Sequence, residues 1–406
     1  MAASIVISVL LIICLWFLFC FVVLTIVYAS DLKILLLEPM LNYPIIIFES
    51  DDWGTGPLKQ EAALEQINSL LARFCDVKGH HPVMTLGIIL AEPDIDKITA
   101  AKGKTYYRTT LADAKYINIL EVIHKGITQG VNSVQLHGME HFWPKSIMCS
   151  IDTQPHVKHW LFNTREKKTE DLPSEFQSRW VDSSSLPSIA HRQEDIESAI
   201  DEELLLYKSL FVDLPNVVVP PTFVWTDVVE KAYAQRGVRT FVTPGRQCIG
   251  RGITGKLIYN KKSFFNGQEN TNGLLFLVRN VYFEPSLGHK AEITLQSIKQ
   301  KINCGRPALL EMHRFNFINE QEDSTKSLEE LNKLLQLIQS GYTNVRYIST
   351  EYLAKMLRDY KQGKDSEFMV SSSKKQFKIA SSRIKMFFQF NRFAKYSGIN
   401  LLLKLC

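Results

Sequence analysis

The chain has 406 residues, 46% of them apolar and 22% charged, enough for one large domain or two ordinary ones with a buried core, and a composition that excludes a disordered chain. Its net charge of +5 is unevenly held: from residue 368 onward there are eight Lys or Arg and no Asp or Glu, so the remainder is slightly acidic and its charge gives no reason to expect nucleic-acid binding. The seven cysteines are scattered without a C-x-x-C pair, which excludes a zinc ribbon and a dense disulfide framework and leaves a single bridge open.

In chain order, residues 5–27 are almost purely apolar and no charge precedes Asp31. That length suffices for a helix through a hydrocarbon core of roughly 30 Å. A cleaved signal peptide is the alternative, with a small-residue site at 27–29. The apolar run exceeds the usual ~7–15 residues and no Lys or Arg comes before it, so residues 1–30 are expected to be an uncleaved single-pass anchor. Residues 43–49 then read as a buried strand, continuous and β-branched, running into the turn-rich Ser50-Asp51-Asp52-Trp53-Gly54. Residues 61–74 have helical spacing, with Ala63, Ile67, Leu70, Leu71 and Phe74 on one side. A strand at 83–90, a helix at 112–125 and a strand at 133–136 follow, the last ending at His137.

Residues 145–190 interrupt this rhythm. They are polar, carry Trp160 and Trp180, have few periodic apolar positions, and read as an insertion that covers substrate. Alternation resumes with helices at 193–210, 227–236, 291–302, 328–340 and 351–360, and strands at 217–219, 240–243, 274–278, 308–312 and 347–349, with a Gly-rich loop at 245–255. Such alternation predicts an α/β fold, a largely parallel sheet covered by helices, with enough units to close a barrel over residues 31–365. The tail, 366–406, interleaves Lys374, Lys375, Lys378, Arg383, Lys385, Arg392, Lys395 and Lys404 with Phe387, Phe388, Phe390 and Phe393. It reads as an amphipathic segment on an anionic membrane, which beside the anchor would hold the barrel mouth close to the bilayer.

Three motifs place ligand-capable groups directly after predicted strands, where active sites of parallel α/β folds gather. Asp51 and Asp52 are adjacent carboxylates whose repulsion a divalent metal would relieve, leaving one free as a general base; an ordinary turn or N-cap pair is the plain alternative. His137 and His141, four apart, can converge on one metal, and imidazole suits zinc. The same stretch matches H-x-x-E-H, a metalloprotease helix with Glu140 as base, but Gly138 and Pro144 disfavour a continuous helix there. His313 ends a late strand and could protonate a leaving group, or simply be a satisfied core histidine. Trp53, Phe142, Trp143 and Trp225 flank the motifs and are read as core aromatics before sugar platforms. His156 and His159 sit in the polar insertion and are read as incidental; His80 and His81 are expected at the opposite end.

The order of these motifs resembles the polysaccharide deacetylase (NodB-like) family over roughly residues 43–357. Asp51-Asp52, His137 to His141, Pro220-Pro221-Thr222-Phe223 and His313 stand where that family has an Asp-Asp pair, H-x-x-x-H, a Pro-aromatic motif and a late histidine. The resemblance implies a distorted (β/α)7-type barrel and a divalent metal, Zn or else Co, Ni or Mn, on Asp52, His137 and His141. It makes Asp51 the base and His313 the acid, with an oxyanion site formed by backbone N–H near Thr222 and Phe223. Two elements depart from the pattern: Val218 and Val219 precede Pro220 where the family commonly has an Arg, and no D-x-x-D-W segment is found. Arg246 or Asp227 are the candidates to fill those roles.

The function expected is metal-dependent hydrolysis of N- or O-acyl groups on a cell-surface or envelope polysaccharide by an extracytoplasmic, membrane-held enzyme. A glycoside hydrolase pairing Asp51 with Glu140 or Glu311, and a non-catalytic glycan-binding or assembly factor that keeps the metal site, are the alternatives. No nucleotide, flavin or haem motif is found.

Overall fold

Strand β1 (Ile45–Gly54) is buried along its whole length; its first four residues, Ile-Ile-Ile-Phe, are the continuous apolar run of a strand covered on both faces, and its polar second half is buried with them. The computed structural model, which describes residues 2–164, 166–364 and 367–399, builds a parallel sheet outward from it. On one side lie β2 (Met84–Ile89), β3 (Asn132–Leu136), β4 (Val217–Val218), β5 (Thr240–Thr243) and β6 (Leu275–Val278); on the other, β8 (Ala308–His313), itself paired with β7 (Val281–Tyr282). The two ends of this ladder are one stretch of chain: residues 275–278 pair with β5, and residues 281–282 pair with β8. A single crossing segment therefore joins both edges, which removes the exposed edges of an open sheet.

Alternation along the strands divides the core in two. Ile45 and Ile47, Val217 and Val219, Val242, Leu275 and Leu277, and Leu309 form an inner cluster. Ile46, Phe48, Leu86, Ile88, Val218, Phe241, Phe276 and Leu310 face outward into a larger cluster under the helices. Those helices include α3 (Gln60–Leu71), α4 (Ile117–Thr128), α7 (Gln193–Phe211), α8 (Asp227–Gln235), α9 (Ala291–Asn303) and α10 (Gln321–Gly341), with α1 (Ala2–Val27), α2 (Ala29–Leu37), α5 (Pro144–Ser150) and α6 (Pro155–Asn163) outside this set. Continued toward the C-terminal strand ends, the inward parity passes from aliphatic residues to Glu49 and Asp51 on β1, Glu311 and His313 on β8, and Arg279 just beyond β6. Polar chemistry is thus stacked on an apolar floor.

Helix α1 is long and apolar enough to cross a membrane by length and composition, a test a signal sequence also passes. It continues through α2 to the N-terminal end of β1. There Leu41 N–H donates to Gly305, Asn42 N–H to Phe368 and Val370 N–H to Met40. Helices α11 (Thr350–Lys361) and α12 (Ser373–Phe390) follow. The tail is not free: Ile379, Arg383 and Phe388 of α12 are buried, and Phe388, Ala394 and Ile399 pack on Cys20 and Leu24 of α1. Arg383, read from sequence as a surface cation, instead donates to the carbonyls of Leu35, Glu38, Pro39, Cys304 and Gly305. Lys404, Cys406 and the expected body–tail boundary at 365–366 lie outside the described residues. The same geometry shows which end of the barrel the apolar helix adjoins. The apolar helix joins the strands' N-terminal ends and the Asp51-Asp52, His137 and His313 motifs sit at their C-terminal ends, so the 10 residues of β1, roughly 30 Å of extended chain, lie between.

Two local expectations also change. The insertion at 145–190 is not devoid of apolar order: α5 and α6 close a small core of Ile98, Phe142, Ile147, Val157, Trp160, Leu161, Leu172 and Phe176. The Gly-rich loop at 245–255 is largely one arm of an antiparallel hairpin, Arg246–Arg251 against Leu257–Ser263. Cys14, Cys20, Cys75, Cys149, Cys248 and Cys304 are free thiols.

Candidate metal centre and active site

The Asp51-Asp52 pair sits in a β-bulge. Between the register pairs Ser50–Leu86 and Trp53–Ile88, β1 carries one more residue than β2. In a regular strand neighbours face opposite ways, and only one aspartate could enter the barrel. The extra residue re-aims the chain, with Asp52 at φ 73°, a left-handed conformation that Asp tolerates better than most residues. Trp53 returns to the outer core, fully buried, its indole N–H donating to Ser50 Oγ at 2.8 Å. Gly87 opposite keeps the space clear: a Cβ there would lie 2.3 Å from Asp51 Oδ1.

His137 follows β3 directly, its N–H donating to Ile88 O at 2.9 Å. Its Nδ1–H donates to Val219 O at 2.8 Å, which fixes the tautomer and leaves Nε2 as the lone pair facing the aspartates. Residues 137–141 form a bent loop and not a helix, with Gly138 at φ 114°, so the metalloprotease arrangement is not built. The loop brings His141 back until its ring centroid is 4.9 Å from that of His137. Nε2 of His137 and of His141 lie 3.5 and 3.7 Å from Asp52 Oδ1. One donor atom from each of the three residues falls within 4.8 Å of the others, all three side chains being buried. Asp52 Oδ1 accepts no hydrogen bond, although a buried carboxylate oxygen without a donor is costly. The Nε2 atoms of two imidazoles turned toward one orphaned carboxylate oxygen, slightly beyond hydrogen-bond length, make a donor set that fits a divalent cation.

Asp51 is held by an arginine the sequence reading did not find. Arg279, buried just after β6, donates from Nη1 and Nη2 to Asp51 at 2.5 and 2.8 Å and from Nε to Glu49 at 2.5 Å. Burial alone would push the Asp51 carboxyl up, but Arg279 with His137 outweighs it and holds the group down at about 2. Asp52 is likewise held far below the carboxylate range against its burial, by His137 and His141. His141 is pushed down to about 4, chiefly by burial.

His313 is aligned in register with Asp51 across the β1–β8 pair. Its Nδ1–H donates to Glu284 Oε1 at 2.6 Å, while Glu284 also accepts from Asn316 and from the His313 backbone N–H. Burial would lower the imidazolium, but Glu284 and Asp52 outweigh it and raise it to about 10. Arg279 and Glu284 therefore occupy the two positions that Arg246 and Asp227 were expected to fill. Arg246 is exposed, and Asp227 accepts from Gln247. A sequence signal existed for Arg279, since it follows the strand at 274–278 directly. None pointed to Glu284.

Pro220-Pro221-Thr222-Phe223 forms a tight turn after β4 with Thr222 and Phe223 both in the left-handed region, φ 52° and 55°, at a cost of roughly 1–3 kcal/mol each. Thr222 Oγ1 shares a 2.7 Å hydrogen bond with Ser178 Oγ. Phe223 N–H already donates to Pro220 O at 2.9 Å, and its ring lies under the Arg279 guanidinium. Together these residues enclose a cavity of about 160 Å³ lined by Asp51, Asp52, His137, His141, His313 and the Thr222 turn. The insertion closes its roof with Thr169, Glu170 and Gln177, and Phe315 completes the wall.

Other singled-out residues lie elsewhere. Phe142 and Trp225 are buried core residues, and Trp143 stacks on His191. His156 and His159 are exposed on α6. His81 Nδ1–H donates to Phe74 O in the loop before β2, away from the site. Glu140 is buried between Arg108, at 2.7 Å, and Arg179, at 2.9 Å; neither it nor Glu311 lines the cavity.

No family model and no curated protein matches this chain. Several solved structures do. A CE4 family pseudoenzyme from Bacillus anthracis is 10% identical, over 77% of this chain and 66% of that one, with a TM-score of 0.36. The peptidoglycan deacetylase PdaC from Bacillus subtilis is 11% identical over 80% and 95%, with a TM-score of 0.36. A 4-alpha-glucanotransferase from Thermococcus litoralis is 9% identical over 77% and 40%, with a TM-score of 0.40. The chain spans just under two thirds of the first of these.

Proposed function

We propose that this protein is a metal-dependent hydrolase that removes N- or O-acyl groups from a cell-surface or envelope polysaccharide, a divergent member of the polysaccharide deacetylase family. The observation that carries the reading is the convergence of Asp52, His137 and His141 within 4.8 Å, flanked by a carboxylate locked to Arg279 and a histidine locked to Glu284. A divalent cation on those three residues, zinc by the chemistry of the donor set and Co, Ni or Mn otherwise, would acidify a water and polarise an acyl carbonyl. Asp51 takes the proton: Arg279 keeps it ionised and fixes its orientation, at some cost in basicity. His313, protonated at neutral pH, gives its proton to the departing nitrogen or oxygen, and Glu284 holds the ring for that transfer. Because Phe223 N–H is already engaged, the Thr222 N–H is the oxyanion donor of the pair.

Arg279 and Glu284 also bear on the non-catalytic alternative, which rested on the apparent lack of both partners. The glycoside hydrolase alternative loses support, since Glu140 is spent on Arg108 and Arg179. We further propose that residues 1–30 anchor the protein, with residues 31–365 as the catalytic body and the tail packed against the anchor. The reading is tested by elemental analysis and acetate release on acylated oligosaccharides, with His137→Ala and His141→Ala beside the wild type. About one equivalent of metal, lost in both variants together with acetate release, is expected; a folded wild type that stays metal-free after reconstitution would sink it.

A further inference from the structure

The roof of the cavity carries a carboxylate that the mechanism does not use. Glu170 lies on the short 3-10 turn Thr169–Asp171 of the insertion, between α6 and the segment that holds Ser178, and lines the same cavity as the metal-ligand residues and His313. Both of its carboxylate oxygens are buried, and among the described residues neither accepts a hydrogen bond from another side chain or backbone N–H. Desolvation and the neighbouring charge of Asp52 both raise its pKa, and Arg314 offsets this only in part. A carboxylate placed so is expensive unless something donates to it. Among the described residues no other one does, and it is not one of the three residues whose donor atoms converge.

We infer that Glu170 is a specificity-determining residue that accepts a hydrogen bond from a hydroxyl or amide N–H of the sugar that bears the scissile acyl group. This rests on the deacylase reading above and names what that site reads in its substrate. As a carboxylate Glu170 only accepts, and the acyl carbonyl likewise has only acceptor atoms, so the partner of the ionised group is a donor of the ring or the amide. The insertion therefore separates glycans from simple acyl esters, which reach the metal and the acid–base pair but present no donor to the roof.

The experiment compares wild type, Glu170→Ala and Glu170→Gln on three readouts: metal content, hydrolysis of 4-nitrophenyl acetate, and binding and deacetylation of an N-acetylglucosamine tetrasaccharide and an O-acetylated xylan oligosaccharide. The expected result is full metal content and unchanged ester hydrolysis in both variants. The kcat/KM on the oligosaccharide should fall roughly ten- to a hundredfold in Glu170→Ala, the worth of one charge-assisted hydrogen bond, and less in Glu170→Gln, which keeps an acceptor. Oligosaccharide binding should weaken in parallel. Equal loss on ester and glycan, loss of metal, or wild-type behaviour on the glycan would each overturn the assignment. Failure of the deacylase reading shows separately, as a wild type that binds the oligosaccharide without hydrolysing it; the binding comparison still decides the role of Glu170.

Discussion

Replacing Arg279 by Met tests how the site is held together. The guanidinium makes two bonds to Asp51 and one to Glu49, and all three side chains are almost wholly buried. Met matches the stem and leaves two carboxylates facing each other without a cation. Removing one partner of a buried ion pair costs ~3–5 kcal/mol, because the remaining charge is uncompensated. The Asp51 shift, from 3.8 down to about 2, is the balance of burial against Arg279, His137 and His313, and is worth roughly 2 kcal/mol by linkage. The sign follows from the direction of that shift. A depressed carboxyl contributes stability above its unfolded pKa and loses it as pH falls through the folded value, so the wild type weakens from about pH 4 toward about pH 2. In the variant, burial acts on Asp51 without Arg279, and the folded pKa rises from its depressed value. Protonation then relieves the variant while it still weakens the wild type. Urea denaturation of the full chain in detergent at neutral pH and at about pH 4 reads this directly. A deficit of roughly 3–5 kcal/mol at neutral pH that narrows on acidification is expected. A deficit independent of pH, or one under ~1 kcal/mol, would refute the claim that Arg279 acts by compensating Asp51 and Glu49.

Other consequences separate the parts of the site. Gly87→Ala places a Cβ 2.3 Å from Asp51 Oδ1; acetate release should drop at least tenfold while metal content stays near the wild type, because Asp52, His137 and His141 are untouched. Glu284→Gln removes the carboxylate whose hydrogen bond, more than any other contact, raises His313. The alkaline limb of kcat/KM should move down from about 10 toward the ordinary imidazole value of about 6.5, and a limb that does not move would dissociate His313 from the acid step.

Much of the barrel was legible from the chain alone. The alternation of β-branched runs with helical periods announced a parallel, helix-covered sheet, and the strands at 43–49, 83–90, 133–136, 240–243 and 308–312 lie where β1, β2, β3, β5 and β8 form. The spacing of His137 and His141 after a strand end, and Asp51-Asp52 after another, are local signals, because four residues of chain can return one imidazole beside another whatever else surrounds them. The Arg383 side chain shows the limit of such reading. In sequence it is one of a row of cations; in the fold it is buried against five backbone carbonyls.

Sequence by itself determined which side chains can hold a metal, and the period-two parity that points Asp51, Arg279 and His313 into one barrel. It did not determine partnership. Arg279 reaches Asp51 across 228 residues of chain and Glu284 reaches His313 across 29, and neither pairing leaves a trace in local spacing, because both exist only once the strands are in register. Tertiary structure also decided the bulge that turns two neighbouring aspartates the same way, the roof that hangs Glu170 over the cavity, and the separation of the mouth from the apolar helix. Each depends on where a closed sheet brings distant backbone together, and that is set by the packing of the whole barrel.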